Sequence, residues 1–124
     1  MNKYSLLFAL SFAYIATATA QDFMMQGWYW NYPTTVGSKK WVSYMDTKLP
    51  EISDAGFTYV WLPPLSHGSD NASIGYDVQD YYDLGQFRST RWGLRTHLNQ
   101  FIADGNALGV KVVADIVYNH RNQG

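Results

Sequence analysis

The chain has 124 residues, with nine Lys and Arg against ten Asp and Glu and a formal net charge of −1. Apolar residues make up 47%, aromatics 17% and charged residues only 15%, which is too apolar for a disordered chain and too poor in basic groups for a nucleic-acid binder that neutralises many phosphates. With no Cys there is no disulfide framework, zinc knuckle or thiol nucleophile, and the length allows one domain at most.

Residues 1–20, MNKYSLLFALSFAYIATATA, combine Lys3, an apolar run from Leu6 to Ile15 and the small-residue motif Ala18-Thr19-Ala20. That is the pattern of a secretory signal peptide, so the mature chain is expected to start at Gln21 and to be secreted to the extracellular space or the periplasm. The run is shorter than the roughly 18–20 apolar residues of a spanning helix, which argues against a membrane anchor.

Phe23 to Trp30 (FMMQGWYW) is an apolar, aromatic run and predicts a first strand. Asn31 to Ser38 is rich in turn residues, and Ser38 is placed to cap the helix that follows. Trp41, Tyr44, Met45, Leu49 and Ile52 then recur at three- and four-residue spacing, a helical stripe. Pro50 predicts a kink or two consecutive short helices, and Gly56 stands where a helix C′ glycine belongs. Phe57 to Leu62 (FTYVWL) predicts a second strand, stopped by Pro63-Pro64. Residues 65–92 form a long, polar, Tyr- and Asp-rich loop, and a loop of that length inside a compact unit is more often functional than idle. Leu94 to Leu108 predicts a second helix with Leu98, Phe101, Ile102 and Leu108 on one face, weakened by Gly105 and Asn106. Val110 to Val117 (VKVVADIV) is nearly continuous in β-branched residues, as in a strand buried on both faces of a parallel sheet. Alternation would put Asp115, Val117 and Asn119 on one face of that strand.

The order β-α-β-α-β implies parallel strands joined by right-handed helical crossovers, as in a doubly wound sheet or a (β/α)8 barrel. No G-x-G-x-x-G follows any strand, so the dinucleotide-binding version loses its main support. In both architectures function sits at the carboxyl ends of the strands, where Trp28 to Trp30, Pro63 to Tyr82 and Asn119-His120 lie. Trp28, Trp30, Tyr81 and Tyr82 could extend a ligand platform but are expected to be packing residues. Gln26 is expected inside the barrel mouth, and His67 and His97 on the surface. Asn71-Ala72-Ser73 is a glycosylation sequon.

The string Asp115-Ile116-Val117-Tyr118-Asn119-His120 resembles the first signature region of the α-amylase family of glycoside hydrolases. Met25-Gln26-Gly27-Trp28-Tyr29-Trp30 is similar to that family's first barrel strand, and Ala55 to Pro64 (AGFTYVWLPP) to its second. Gly75-Tyr76-Asp77 with Asp80 to Phe87 (DYYDLGQF) resembles its long loop. Arg91-Trp92-Gly93 and Leu108 to Val112 resemble the flanks of its second helix. The resemblance covers Phe23 to Gly124. It implies an α/β fold, the first three strands and two helices of an incomplete (β/α)8 TIM barrel, with residues 21–124 as the N-terminal portion of the catalytic domain, truncated after the third strand.

The same resemblance implies an enzyme: a secreted α-amylase that hydrolyses internal α-1,4-glucosidic bonds of starch, glycogen or maltodextrin with retention, monomeric, with no nucleic-acid or membrane partner. Matched by position, His120 hydrogen-bonds sugar hydroxyls, Tyr76 stacks on a sugar ring, Asp115 and Asp77 support the site, and Asn119 is a ligand of Ca2+, which prefers hard oxygen donors. Retaining hydrolysis needs two carboxylates roughly 5–5.5 Å apart. In the family these come from the fourth and fifth strands, so no catalytic residue is assigned between Met1 and Gly124, and the chain alone is expected to be inactive. The only glutamate, Glu51, is predicted on the first helix, away from the strand ends. One departure is Leu94, where family members often carry a helix-capping Thr. The alternative is a small non-catalytic carbohydrate-binding or interaction protein derived from the same barrel.

Overall fold

Three short strands lying parallel carry the structure. A computed structural model describes residues 21–122; the expected signal peptide lies outside the described residues. β1 (Met24–Gln26) pairs with β4 (Tyr59–Trp61), and β4 pairs with β5 (Lys111–Val113), both in parallel, giving the sheet order β1-β4-β5. Met25, Val60 and Val112 form one row across the sheet. Alternation turns this row toward the helices, and Val60 is fully buried there. The β-α-β-α-β order and the parallel sense follow the reading of the sequence.

The helical stripe resolves into two short helices, α1 (Trp41–Asp46) and α2 (Leu49–Asp54), with Pro50 in the first turn of α2, where its missing N–H has no intrahelical acceptor to lose. Gly56 follows the C-cap Ala55 with a left-handed φ of 86°. Ser38 does not cap α1. Lys40 occupies the N-cap without a side-chain hydrogen bond, because residues 35–40 fold into a small antiparallel hairpin, β2 (Thr35–Val36) with β3 (Lys39–Lys40), that places Ser38 in its turn. α3 (Arg95–Ala107) packs on α1 through Trp41, whose ring centroid lies 6.1 Å from that of Phe101.

Gly105 is not a weak point of α3. A Cβ there would stand 2.8 Å from the carbonyl oxygen of Val110, so the absence of a side chain lets the helix lie against the chain entering β5, and the Val110 N–H closes on the Gly105 carbonyl at 2.8 Å.

The strands are shorter than the apolar runs that announce them. After β1 the ladder gains one more bond, Gly27 N–H to the Trp61 carbonyl at 3.0 Å, before Trp28 turns into the core. After β4, Leu62 N–H reaches the Val113 carbonyl at 2.9 Å, and Pro63-Pro64, with no N–H to donate, ends the pairing. β5 therefore stops at Val113, and residues 114–122 run without regular structure. The expectation of a strand to Val117 buried on both faces is corrected: only the helix side is covered. On the other side Met24, Gln26 and Lys111 are exposed, and Tyr59, Trp61 and Val113 are half-buried. The sheet is an open piece of parallel barrel wall. Among the described residues no helix is long and apolar enough to cross a membrane.

Trp41 is fully buried, its indole N–H donates to the Gly27 carbonyl at 2.9 Å, and its ring meets Trp92 edge-on at 5.8 Å. Trp41→Ala removes that packing and leaves a buried carbonyl unpaired, a loss of about 3–5 kcal/mol. For a sheet with open edges and one bare face, broad, weakly cooperative thermal unfolding is expected for the unmutated chain, and loss of the near-UV circular dichroism signal at 25 °C for Trp41→Ala. A sharp two-state melt for both proteins would contradict this account of the fold.

Candidate functional site

The segments leaving β1, β4 and β5 emerge at one end of the sheet, and there the chain brings Trp30, Tyr76, Asp115 and His120 together. Tyr76 is their centre. Its hydroxyl donates to Asp115 Oδ2 at 2.7 Å, and its backbone carbonyl lies 2.7 Å from His120 Nε2. Its ring stacks on Trp30 with centroids 5.9 Å apart and planes 13° from parallel. A carbonyl can only accept, so His120 Nε2 carries the proton in this contact. The His120 carbonyl in turn accepts the Tyr81 hydroxyl at 2.6 Å. Arg121 Nε to the Gln79 carbonyl at 2.8 Å and Asn122 N–H to the Val78 carbonyl at 2.7 Å continue the seam between residues 120–122 and the long loop.

The position of Tyr76 is set by its neighbour. Gly75 has a left-handed φ of 107°, and a Cβ there would collide with the carbonyl oxygen of Pro64 and come within 2.9 Å of that residue's own Cβ. Only glycine lets the loop return this closely to the exit of β4. From the other side, Trp92 Nε1 donates to the Ile74 carbonyl at 3.0 Å and Arg91 Nη1 to the Ala72 carbonyl at 2.5 Å.

Asp77 supports the same turn. Its carboxylate accepts the hydroxyls of Ser69 and Ser73 and, at 3.3 Å, the Ser69 N–H. Burial raises its pKa, but these hydrogen bonds outweigh burial and hold it below the ordinary carboxylate value. Tyr76 is pushed the other way, up to about 12, first by burial and then by its bond to the Asp115 carboxylate.

Two expected placements change. Asp115, Val117 and Asn119 do not share a strand face, since all three lie beyond β5; Asp115 is half-buried and Asn119 exposed. His67 is not a surface residue. It is 4% exposed, because its backbone stitches the long loop together: its N–H donates to the Asp83 carbonyl at 2.8 Å, and its carbonyl accepts the N–H groups of Gln79 and Asp80. His97 is exposed, as expected, and Glu51 pairs with Lys48 at 2.7 Å on α2. Gln26 Nε2 bonds the Trp28 carbonyl at 2.9 Å. Among the aromatics expected to pack, Trp28 is buried and Tyr81 half-buried, whereas Trp30 and Tyr82 are exposed.

Sequence reasoning missed Asp83. Fully buried, it accepts Gly85 N–H at 2.9 Å and Phe87 N–H at 3.3 Å through Oδ1, and faces Arg88 Nε at 3.5 Å through Oδ2. Burial raises its pKa; the two backbone bonds, Arg88 and His67 bring it below the usual range. The signal available was Asp83-Leu84-Gly85, an aspartate two residues before a glycine, the spacing of a side-chain-closed turn.

The family model for the α-amylase catalytic domain matches residues 42–123. The chain belongs to the α-amylase family. It is 32% identical over 111 residues to an α-amylase of Geobacillus stearothermophilus, covering 86% of this chain and 20% of that protein. It is likewise 32% identical over 104 residues to a cytoplasmic α-amylase of Escherichia coli, covering 79% and 20%. In fold it is similar to a trehalose-6-phosphate hydrolase of Bacillus licheniformis, with a TM-score of 0.63 and 23% identity over 82% of this chain and 18% of that one. The chain thus spans about a fifth of the length of its curated relatives and matches part of a glycoside hydrolase barrel.

Calcium takes six to eight oxygen ligands. Asn119 offers one, and among the described residues no group of three or more His, Asp or Glu side chains is placed to hold a metal. No calcium site is shown among the described residues.

A tyrosine with a raised pKa adds stability that is complete below pH 10 and is lost as the pH climbs toward 12. Absorbance titration of tyrosinate should show a late step near pH 12 that Tyr76→Phe removes; loss of amplitude near pH 10 in its place would mean that neither burial nor Asp115 holds the hydroxyl in its protonated form. The lowered pKa of Asp77 works at the other end. Its contribution is present above the ordinary carboxylate value of 3.8 and is lost as the pH falls below it. Tryptophan fluorescence should report a change in the loop beginning below about pH 4, shifted to higher pH in the Ser69→Ala, Ser73→Ala double variant.

Proposed function

We propose that this chain forms the first part of the catalytic barrel of a secreted α-amylase that hydrolyses internal α-1,4-glucosidic bonds of starch-like glucans with retention, and that its own contribution is to hold one glucosyl unit. The observation that carries this reading is the convergence of Tyr76, Asp115 and His120 at the carboxyl end of three parallel strands, the end at which barrel enzymes bind their substrates. Tyr76 supplies a ring fixed at its hydroxyl and at its carbonyl, suited to the apolar face of a pyranose. His120, anchored through Nε2 on the Tyr76 carbonyl, leaves its other ring nitrogen for a sugar hydroxyl. Asp115 and Asp77 act through Tyr76 and its turn. They are positioning residues.

Cleavage in this reading needs a nucleophile and a proton donor from further barrel strands, so the 124-residue chain binds without hydrolysing. Calcium belongs to the reading only as an ion completed by oxygen ligands from elsewhere, with Asn119 contributing its side-chain carbonyl. Export rests on residues 1–20 alone, since the relatives include an enzyme named as cytoplasmic.

Incubating the purified chain with soluble starch should release no reducing sugar, while maltotriose should bind in the millimolar range and shift the backbone amide resonances of Tyr76 and His120. Starch cleavage by the chain itself would overturn the division between binding and chemistry. Amide shifts confined to residues away from Tyr76 would overturn the site, and strong retardation in a starch-containing native gel would favour a self-sufficient carbohydrate-binding protein.

A further inference from the structure

Trp30 and Tyr76 are carried by two turns that belong to different parts of the chain. Trp30 is the second residue of the turn Tyr29–Tyr32, closed by the Tyr32 N–H on the Tyr29 carbonyl at 2.9 Å. Tyr76 follows the turn Asp70–Ser73, closed by the Ser73 N–H on the Asp70 carbonyl at 3.2 Å and by the Ala72 N–H on Asp70 Oδ1 at 2.7 Å. One side chain reaches both. Arg91 donates through Nη2 to the Tyr32 carbonyl and, at 2.5 Å, through Nη1 to the Ala72 carbonyl. Its guanidinium lies over the Trp92 ring, 5.4 Å from the centroid, and its Nε is buried without a hydrogen-bond partner. Among the described residues the ion pairs are Lys48 with Glu51 and Arg88 with Asp83, so no carboxylate answers the Arg91 charge. Placing a cation there costs solvation. An apolar side chain would cover Trp92 without that cost, so packing alone does not account for a guanidinium at this position.

We propose that Arg91 is a positioning residue of the glucan site, a clamp that joins the turn carrying Trp30 to the turn leading into Tyr76 and so sets how the two rings meet. The consequence for binding rests on the α-glucan reading of the preceding section; the clamp itself is measurable without a sugar. The side chain suits the task. A guanidinium is a rigid planar fork of five N–H donors and serves two acceptors from separate segments at once, whereas a lysine ammonium is a compact point charge on a flexible stem. Bonds from a charged donor are also stronger than neutral ones. Tyr76 has further ties, to Asp115 and His120. Without Arg91 the Trp30 turn keeps its own closing bond and the ring contacts of Trp30 with Tyr76 and of Tyr32 with Trp92. A site ordered before binding has less conformational freedom to lose when the ligand arrives.

Magnetic resonance spectra of the full 124-residue chain test the clamp. Arg91→Ala should move the Trp30 indole and Tyr76 ring resonances and leave the amide resonances of Val60, Val112 and α3 in place. Free guanidinium ion at a non-denaturing concentration should return the moved resonances toward those of the unmutated chain, ammonium ion should not, and Arg91→Lys should restore them only in part. Maltotriose affinity should fall about tenfold in Arg91→Ala and recover with guanidinium. Trp30 and Tyr76 resonances unmoved in Arg91→Ala overturn the clamp. So does a general displacement of strand and helix amides that guanidinium does not reverse, which would make Arg91 a residue of the fold alone. The unmutated chain gives a readout that no variant's folding can spoil: the Arg91 Nη protons should exchange slowly with water, and fast exchange overturns the clamp. Equal maltotriose affinity in Arg91→Ala and the unmutated chain overturns the positioning role and leaves the α-glucan reading intact. Binding of maltotriose to neither, with the resonances moving as expected, overturns the α-glucan reading and leaves the link between the two turns established.

Discussion

The parallel register of three strands is the constraint on which the rest of the molecule depends. With Met25, Val60 and Val112 in one row, one face of the sheet is committed to the helices, and the three exits leave at the same end. A slip of one residue would turn Val60 out of the core and send Trp61 into it. The register also sets where each strand releases its chain. β1 lets go before Trp28, β4 at Pro63-Pro64, and β5 as soon as β4 has no further partner to offer. Trp30, Tyr76 and His120 can then meet without any of them belonging to a strand.

The long loop would be expensive to order by itself, and it is held from three sides. Trp92 and Arg91 fasten the turn at Ala72 to Ile74. Asp83 closes the second half from within, through Gly85, Phe87 and Arg88. Residues 120–122 lie along Val78 to Tyr81. The indole N–H of Trp41 and the carbonyl of Gly27 tie this arrangement to the first strand, so that loop, helix and sheet share one aromatic core of Trp28, Trp41 and Trp92. Ring contacts of 5.8–6.1 Å at steep angles link the three.

Much of the fold was legible because its signals were local. The helical stripe, Pro50, Gly56 and the apolar runs each reported their own segment. Errors arose where a distant partner decided the outcome. Val110 to Val117 looks like one long strand, yet its length is set by two prolines some fifty residues earlier. Gly105 looks like a defect until the carbonyl of Val110 is placed beside it. His67 and Asp83 are ordinary polar loop residues in sequence, buried only because the loop folds back upon them. Ser38 was claimed by a hairpin that forms one turn before the helix. The family resemblance named Tyr76, Asp77, Asp115 and His120, but neither resemblance nor spacing could show that Trp30 would be left open on Tyr76.

On the α-glucan reading proposed above, the electrostatics of the site suit holding a sugar rather than cleaving one. A general acid for glycoside cleavage must keep its proton near neutral pH, which requires a raised carboxyl pKa. The carboxylate of Asp77 is instead held low by hydroxyl and backbone donors, and that of Asp115 is engaged by the Tyr76 hydroxyl. Both are configured as fixed acceptors. Burial and the bond to Asp115 favour the protonated phenol of Tyr76, so the ring stays neutral throughout the physiological range. A neutral ring held at its hydroxyl, beside a histidine that bonds the same residue's backbone carbonyl, is an arrangement for orientation.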